Sequence, residues 1–236
     1  MIAILDARTP TAAREELRRR GYDPVALPPS PYLPAPVASH PDMLLFFAPD
    51  AIFCTKSYFS SAKEELSRIS HAADRPLKII QRETGTEYPE DVLLNALPMG
   101  RHLFCHPRAT AEEVRTHPAY TLVPVRQGYA KCASLPVGSN ALISADPSIL
   151  GAARSLGIDT LQISSGSILL EGYRYGFIGG CASFAPYGDC DTVYLCGDPE
   201  THPDGAKMVE FCTAHGIKLH ALCPRPLMDI GTIFLI

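Results

Sequence analysis

The apolar positions of this chain fall in short runs rather than in long periodic stripes. Five runs of four residues each lead through a polar or proline-marked turn into a segment with helical spacing: Ile2-Ala3-Ile4-Leu5, Ala51-Ile52-Phe53-Cys54, His102-Leu103-Phe104-Cys105, Ala141-Leu142-Ile143-Ser144 and Thr192-Val193-Tyr194-Leu195. Their starts lie 49, 51, 39 and 51 residues apart. Runs this short, bounded by turn residues, read as strands, and recurrence at such a period marks a repeated supersecondary unit.

Helix signals recur with the strands. Thr9-Pro10 and Asp146-Pro147 pair an N-cap side chain with a proline at the first helical position, where the missing N–H costs nothing. Thr110-Ala111-Glu112-Glu113 has the spacing of a capping box. Gly21, Gly157 and Gly216 stand where a left-handed residue would stop a helix. Second strands are predicted over 24–27, 77–80, 121–125, 160–163 and 218–222. Further strands over 43–47, 92–96, 130–135 and 177–184 precede the central ones. Tight connections join them at Ala48-Pro49-Asp50, Leu97-Pro98-Met99-Gly100, Leu135-Pro136-Val137-Gly138 and Ala185-Pro186-Tyr187-Gly188; in the last three, proline suits turn position i+1 and glycine i+3. That makes four hairpins. A fifth forms if the last strand, over 231–236, pairs with the first and closes a ring of five units.

An open α/β sheet is the alternative architecture. It does not require the additional hairpin strand, and no G-x-G-x-x-G or Walker-type loop follows any strand. Radial closure accounts for five units and limits exposed sheet edges.

This arrangement resembles the pentein fold, the five-bladed α/β ring of guanidino-group modifying enzymes and of ribosome anti-association factors. His40-Pro41-Asp42, Gln127-Gly128-Tyr129-Ala130-Lys131-Cys132, Ala141-Leu142-Ile143-Ser144-Ala145-Asp146 and Tyr175-Gly176-Phe177-Ile178-Gly179-Gly180 are similar to a bacterial family assigned to that fold without a reaction. The fold class expected is therefore a pentein-like, pseudo-symmetric five-bladed α/β propeller closed by its N- and C-terminal strands, as a single domain over 1–236. In the enzymes of this fold the resemblance implies a cysteine that attacks the guanidinium carbon, a histidine that transfers protons, and carboxylates that hold the cation. The cysteine usually follows a glycine-rich turn in the closing strand. Here that segment, Gly231-Thr232-Ile233-Phe234-Leu235-Ile236, carries neither cysteine nor histidine.

In a ring, the inner strands bring distant residues to one axis. The convergent set is His40 and Asp42, Lys131 and Cys132, Gly180 and Cys181, and Asp229, with Asn95 a lesser contribution. His40, Asp42, Cys132 and Cys181 are the candidate catalytic groups, and Asn95, Tyr129, Lys131, Gly180 and Asp229 the candidate binding groups. A guanidinium is planar and a poor electrophile, so it needs anions to orient it and an activated thiol to attack it. Lys131, among apolar neighbours, is either an exposed edge lysine or an ammonium facing an anion in a cavity. Cys132-Ala133-Ser134 and Cys181-Ala182-Ser183 match each other; for either cysteine taken singly, packing is the favoured alternative. His40-Pro41-Asp42 also reads as a simple turn. The second copy, His202-Pro203-Asp204, is assigned to a helix entry with Asp204 or Thr201 as the cap.

Composition narrows the partners. The formal net charge is -4 and only 19% of residues are charged, which argues against a nucleic-acid partner. The longest apolar runs, 43–48 and 230–236, are far shorter than the roughly 20 residues of a membrane helix, and the N-terminus lacks a basic flank before Asp6. No membrane association is expected, and a cytoplasmic location is. Eight cysteines without a Cys-x-x-Cys pair or tight His/Cys cluster predict reduced, mostly buried thiols and no metal or other cofactor. The expected partner is a small polar molecule, and the oligomeric state is left open. Three functions follow: a hydrolase or transferase acting on a guanidino or amidino compound, a non-catalytic binder of a small molecule in the same cavity, or a ribosome- or protein-interaction module. The charge balance disfavours the third.

Overall fold

The computed structural model describes residues 1–188 and 190–236. The first unit is β1 (Ile2–Asp6), α1 (Thr11–Arg19) and β2 (Asp23–Leu27). The second is α2 (Pro41–Leu44), β3 (Phe46–Phe47), β4 (Ile52–Cys54), α3 (Lys56–Ser61), α4 (Lys63–Ala73) and β5 (Leu77–Ile79). The third is β6 (Leu97–Met99), β7 (His102–Cys105), α5 (Glu112–Arg115) and β8 (Thr121–Pro124). The fourth is β9 (Ser134–Val137), β10 (Ala141–Ser144), α6 (Pro147–Ser155) and β11 (Asp159–Gln162). The fifth is β12 (Ser183–Phe184), β13 (Thr192–Leu195), α7 (Gly205–Ala214) and β14 (Lys218–Ala221), and β15 (Ile233–Leu235) ends the chain. Among the described residues these strands form five small sheets, ordered β3-β4-β5, β6-β7-β8, β9-β10-β11, β13-β14 and β12-β15-β1-β2. The fold is mixed α/β.

In each unit the central strand pairs in parallel with the strand that follows its helix. In units two, three and four it also pairs antiparallel with the strand before it. The two ends of the chain meet: β1 pairs antiparallel with β15, with Ala3 opposite Leu235 and Ile4 opposite Phe234.

Burial on both faces explains why the central strands read as unbroken apolar runs. Ile2 and Ile4 pack with residues of unit two, such as Met43 and Ile52. The alternate residues Ala3 and Leu5 pack with Cys196 and Leu222 of unit five. Likewise Leu103 faces Phe46 and Phe53 of unit two, whereas Phe104 faces Leu142 of unit four. Ala141 and Ile143 turn the other way, towards Val193 and Leu195 of unit five. The five apolar clusters therefore lie between units one and two, two and three, three and four, four and five, and five and one.

Asp146 caps α6 as its sequence predicts, its carboxylate accepting from Ser148 N at 2.8 Å and Ile149 N at 3.1 Å. Gly21, Gly157 and Gly216 all have positive φ after helices. Other local expectations are corrected. Thr9 does not cap α1; its hydroxyl donates to the Asp6 carbonyl at 2.8 Å, and the helix starts after Pro10. Thr110 makes no capping box, since α5 begins at Glu112 without a side-chain cap. Asp204 accepts from Ser164 N and Lys207 instead of capping α7. Pro98 and Pro136 lie within β6 and β9, both edge strands, where no donor is missed. The turns fall later, at Gly100 and Gly138, whose φ values are 53° and 61°.

The inner strands also differ from expectation. Residues 41–44 form a helical turn, Glu90–Val92 a 3-10 turn, and 130–133 a tight turn before β9. The predicted hairpin between 177–184 and β13 reduces to one antiparallel bridge, Ala182 opposite Leu195. β12 instead pairs in parallel with β15. No helix among the described residues is long and apolar enough to cross a membrane.

Candidate functional site

The segments that precede β3, β6, β9, β12 and β15 supply one buried polar group. In the first, Pro41 opens the helical turn α2, its fixed φ being ready for a helix. His40 and Asp42, on either side, are both buried. In the third, the turn is closed by Ala133 N donating to the Tyr129 carbonyl at 2.8 Å and Ser134 N to that of Lys131 at 3.1 Å.

Asn95 braces the group. Its Oδ1 accepts from the backbone N–H of Lys131 (2.8 Å) and Cys132 (3.2 Å). Its Nδ2 donates to the Asp42 carbonyl at 3.3 Å and to Cys132 Sγ at 3.1 Å. One fully buried amide thus fixes the thiol relative to the His40–Asp42 segment. Asp42 Oδ2 accepts from Cys132 Sγ at 2.9 Å and from Thr232 Oγ1 at 2.7 Å. Lys131 Nζ stands 3.0 Å from Thr232 Oγ1, 3.5 Å from the Gly179 carbonyl and 5.1 Å from the Phe184 ring centre. The Lys131 ammonium therefore reaches Asp42 through a hydroxyl.

Asp229 lies on the other side of His40. Its carboxylate accepts from Phe177 N at 2.8 Å and Gly231 N at 3.0 Å, and its Oδ1 is 3.9 Å from His40 Nδ1. His40 Nε2 is 3.6 Å from Asp6 Oδ2, and the Arg8 guanidinium binds Asp6 at 2.7 Å. Glycine is required beside Asp229: a Cβ on Gly180 would stand 2.0 Å from Asp229 Oδ1. Gly179 is equally constrained, its Cβ position lying 2.0 Å from the Ser134 carbonyl oxygen. Thr232 has φ 71°, a conformation uncommon for a β-branched residue, at a cost of about 1–3 kcal/mol.

A cavity of about 280 Å³ opens above this floor. His40, Cys132 and Asp229 line its base, and Tyr129, Tyr173, Tyr175 and Phe177 its walls, with Arg174 beside them. Tyr129 and Phe177 lie 5.9 Å apart, and the Tyr129 hydroxyl donates to Asp91 Oδ2 at 2.5 Å. The cavity adjoins a groove of about 490 Å³ that shares Tyr173, Arg174 and Asp229 and adds Arg8 and Arg225.

Burial dominates the electrostatics. It pushes the carboxyls of Asp42 and Asp229 above the usual range and holds His40 and Lys131 below theirs. Cys132 is held well above an ordinary thiol by burial first and then by the nearby carboxylates of Asp42 and Asp229. In the hydrogen bond between them the Cys132 thiol is the donor and Asp42 Oδ2 the acceptor.

The structure thus brings together His40, Asp42, Asn95, Lys131, Cys132, Gly180 and Asp229, with Tyr129 on the wall. Lys131 is buried behind Asp42, and the alternative of an exposed edge lysine does not hold. Cys181 stands apart: its Sγ donates to the Ile178 carbonyl at 3.1 Å and packs in the apolar cluster between units four and five. Asp6 and Thr232 join the group without a motif that marks them in the sequence. A Gly-Thr pair at the start of the last strand and an aspartate ending the first were the only signals available.

A mixed α/β chain with this order of elements is similar in fold to dimethylarginine dimethylaminohydrolase. The DDAH of Pseudomonas aeruginosa, a cysteine-to-serine mutant complexed with citrulline, superposes with a TM-score of 0.55 at 12% identity, covering 93% of this chain and 90% of that one. A dimethylarginine dimethylaminohydrolase adduct with 4-chloro-2-hydroxymethylpyridine gives 0.56 at 12% identity over the same shares. A histidine-to-glycine mutant adduct with S-methyl-L-thiocitrulline gives 0.54, again at 12%. In sequence, residues 4–234 match the family of unknown function DUF6873, and the chain belongs to that family. No protein with a curated description matches it in sequence.

Proposed function

We propose that this protein is a pentein-like ring of five units whose central cluster acts, as a hydrolase or transferase, on a small guanidino or amidino compound. The cyclic succession of apolar clusters and the pairing of β1 with β15 support the ring. The observation that carries the chemistry is Cys132 Sγ, 2.9 Å from the Asp42 carboxylate at the base of an aromatic cavity.

A planar cation stacks well on Tyr129 and Phe177, with Asp229 as the counter-charge. Cys132 Sγ forms a bond to the amidino carbon while its proton passes to Asp42. The carbon–nitrogen bond then breaks, and the leaving nitrogen takes that proton, directly or relayed by His40. Water, or an acceptor amine in a transferase, cleaves the S-amidino adduct and restores the thiol. Mass spectrometry after incubation with a panel of guanidino and amidino compounds tests this. Turnover by wild type and none by Cys132→Ala is expected; no turnover and no covalent adduct on wild type rejects it.

The competing reading is a non-catalytic binder in the same cavity, favoured by the burial and nearby carboxylates that raise the Cys132 thiol well above its ordinary value. A compound that raises Tm without being changed supports binding alone.

A further inference from the structure

Two buried side-chain atoms of this cluster have no hydrogen-bond partner among the described residues: Asp42 Oδ1, and His40 Nε2, which stands 3.6 Å from Asp6 Oδ2. Native interiors rarely leave such atoms unpaired, and an unoccupied ion position is one reason they do. Beside them is Cys132 Sγ. One donor atom from each of His40, Asp42 and Cys132 lies within 4.8 Å of the others, and all three residues are buried. We propose that His40, Asp42 and Cys132 form a site for a divalent cation of the zinc type, with the fourth position open to the cavity.

The donor set is one imidazole nitrogen, one carboxylate oxygen and one sulfur, which suits borderline-soft, tetrahedral Zn²⁺ with three protein ligands and an open position. Bonds of about 2.0–2.3 Å place tetrahedral ligand atoms roughly 3.3–3.8 Å apart. The present spread therefore closes by about 1 Å on binding. His40 and Cys132 border open space, so their side chains have room for that movement. Charge agrees as well: a carboxylate and a thiolate neutralise the dication, and a neutral centre is what a buried floor tolerates. Lys131 does not occupy the position, because the Thr232 hydroxyl separates its ammonium from Asp42. Asn95 Nδ2, 3.1 Å from Sγ, stands as an outer-shell donor to the thiolate.

Binding displaces the Cys132 proton to solvent, and the metal takes the sulfur electron pair that covalent catalysis needs. Zinc-loaded protein is thus expected to lose any amidino activity that metal-free protein has. The inference does not depend on that activity existing.

The test is X-ray absorption spectroscopy on the wild-type chain, stripped with a chelator and reloaded with one equivalent of Zn²⁺. Zinc retained through gel filtration, with a single sulfur at about 2.3 Å and nitrogen or oxygen neighbours, is expected. Cys132→Ser should lose the sulfur signal. No retained zinc, a shell without sulfur, or a shell with two sulfurs overturns the proposal; the last would place zinc at the adjacent thiols of Cys196 and Cys223. The wild-type spectrum decides even if the variant does not fold.

Discussion

Replacing Gly180 with alanine puts a methyl group where the Asp229 carboxylate now sits. The new Cβ would lie 2.0 Å from Oδ1, 2.3 Å from Cγ and 2.6 Å from Oδ2 of Asp229. Ordinary contact begins near 3.4 Å, so the carboxylate must retreat by about 1.4 Å. It cannot do so while keeping Phe177 N at 2.8 Å and Gly231 N at 3.0 Å. Nor can Gly180 move freely, since its N–H donates to the Cys132 carbonyl and its own carbonyl accepts from Ile230 N and Thr232 N. Overpacking costs about 1–3 kcal/mol, and losing one hydrogen bond to a charged group about 1.5–3 kcal/mol. Together these give a loss of about 2.5–6 kcal/mol. For a chain of this size that is a fall in Tm of roughly 5–24 °C. Gly151→Ala in α6 is the control, because nothing lies within 4 Å of its added methyl; a gain of about 0.5–1 kcal/mol is expected there. Differential scanning fluorimetry with denaturant titration measures both. A Gly180→Ala protein within 1 kcal/mol of wild type would refute the tight approach of Gly180 to Asp229.

Thr232→Val keeps the β-branch but removes the hydroxyl between Lys131 and Asp42, and a loss of about 2–4 kcal/mol is expected from the unsatisfied buried groups. Thr232→Ser should stay close to wild type in the same denaturant titration. Asp91 has its pKa raised by burial. Its folded state therefore holds the proton more tightly than the unfolded chain, and its contribution is fully present below the unfolded value and declines as pH rises through the folded one. The stability of wild type relative to Asp91→Asn should accordingly fall with rising pH above about 4. A difference that is flat or rises across that window contradicts the burial of Asp91.

Much of the architecture was legible because the central strands are buried on both faces, which leaves uniform apolar runs at β1, β4, β7 and β10. Helix ends were legible where the chemistry is local, as at Asp146-Pro147 and Gly157. The segments that build the site were harder. Pro41-Asp42-Met43-Leu44 and Ala130-Lys131-Cys132-Ala133 form a helical turn and a tight turn, and four residues of mixed polarity carry no periodicity that separates a strand from a buried turn. The convergence of Asp42, Asn95, Cys132 and Asp229 followed from expecting corresponding positions to meet. The same symmetry also proposed Cys181, which packs away from the hydrogen-bonded group. Sequence proximity offered no metal cluster, because the three candidate ligands lie in segments of units two and four that meet only in space.

The amidino chemistry assigned to Cys132 is tested most directly by peptide-mapping mass spectrometry of wild-type protein quenched during reaction with compounds from the guanidino and amidino panel. An amidino adduct on the peptide containing Cys132, absent from Asp42→Asn, is the expected result. An adduct on Cys181 or Cys223 instead, or turnover with Cys132 unmodified and replaceable by alanine, would contradict it.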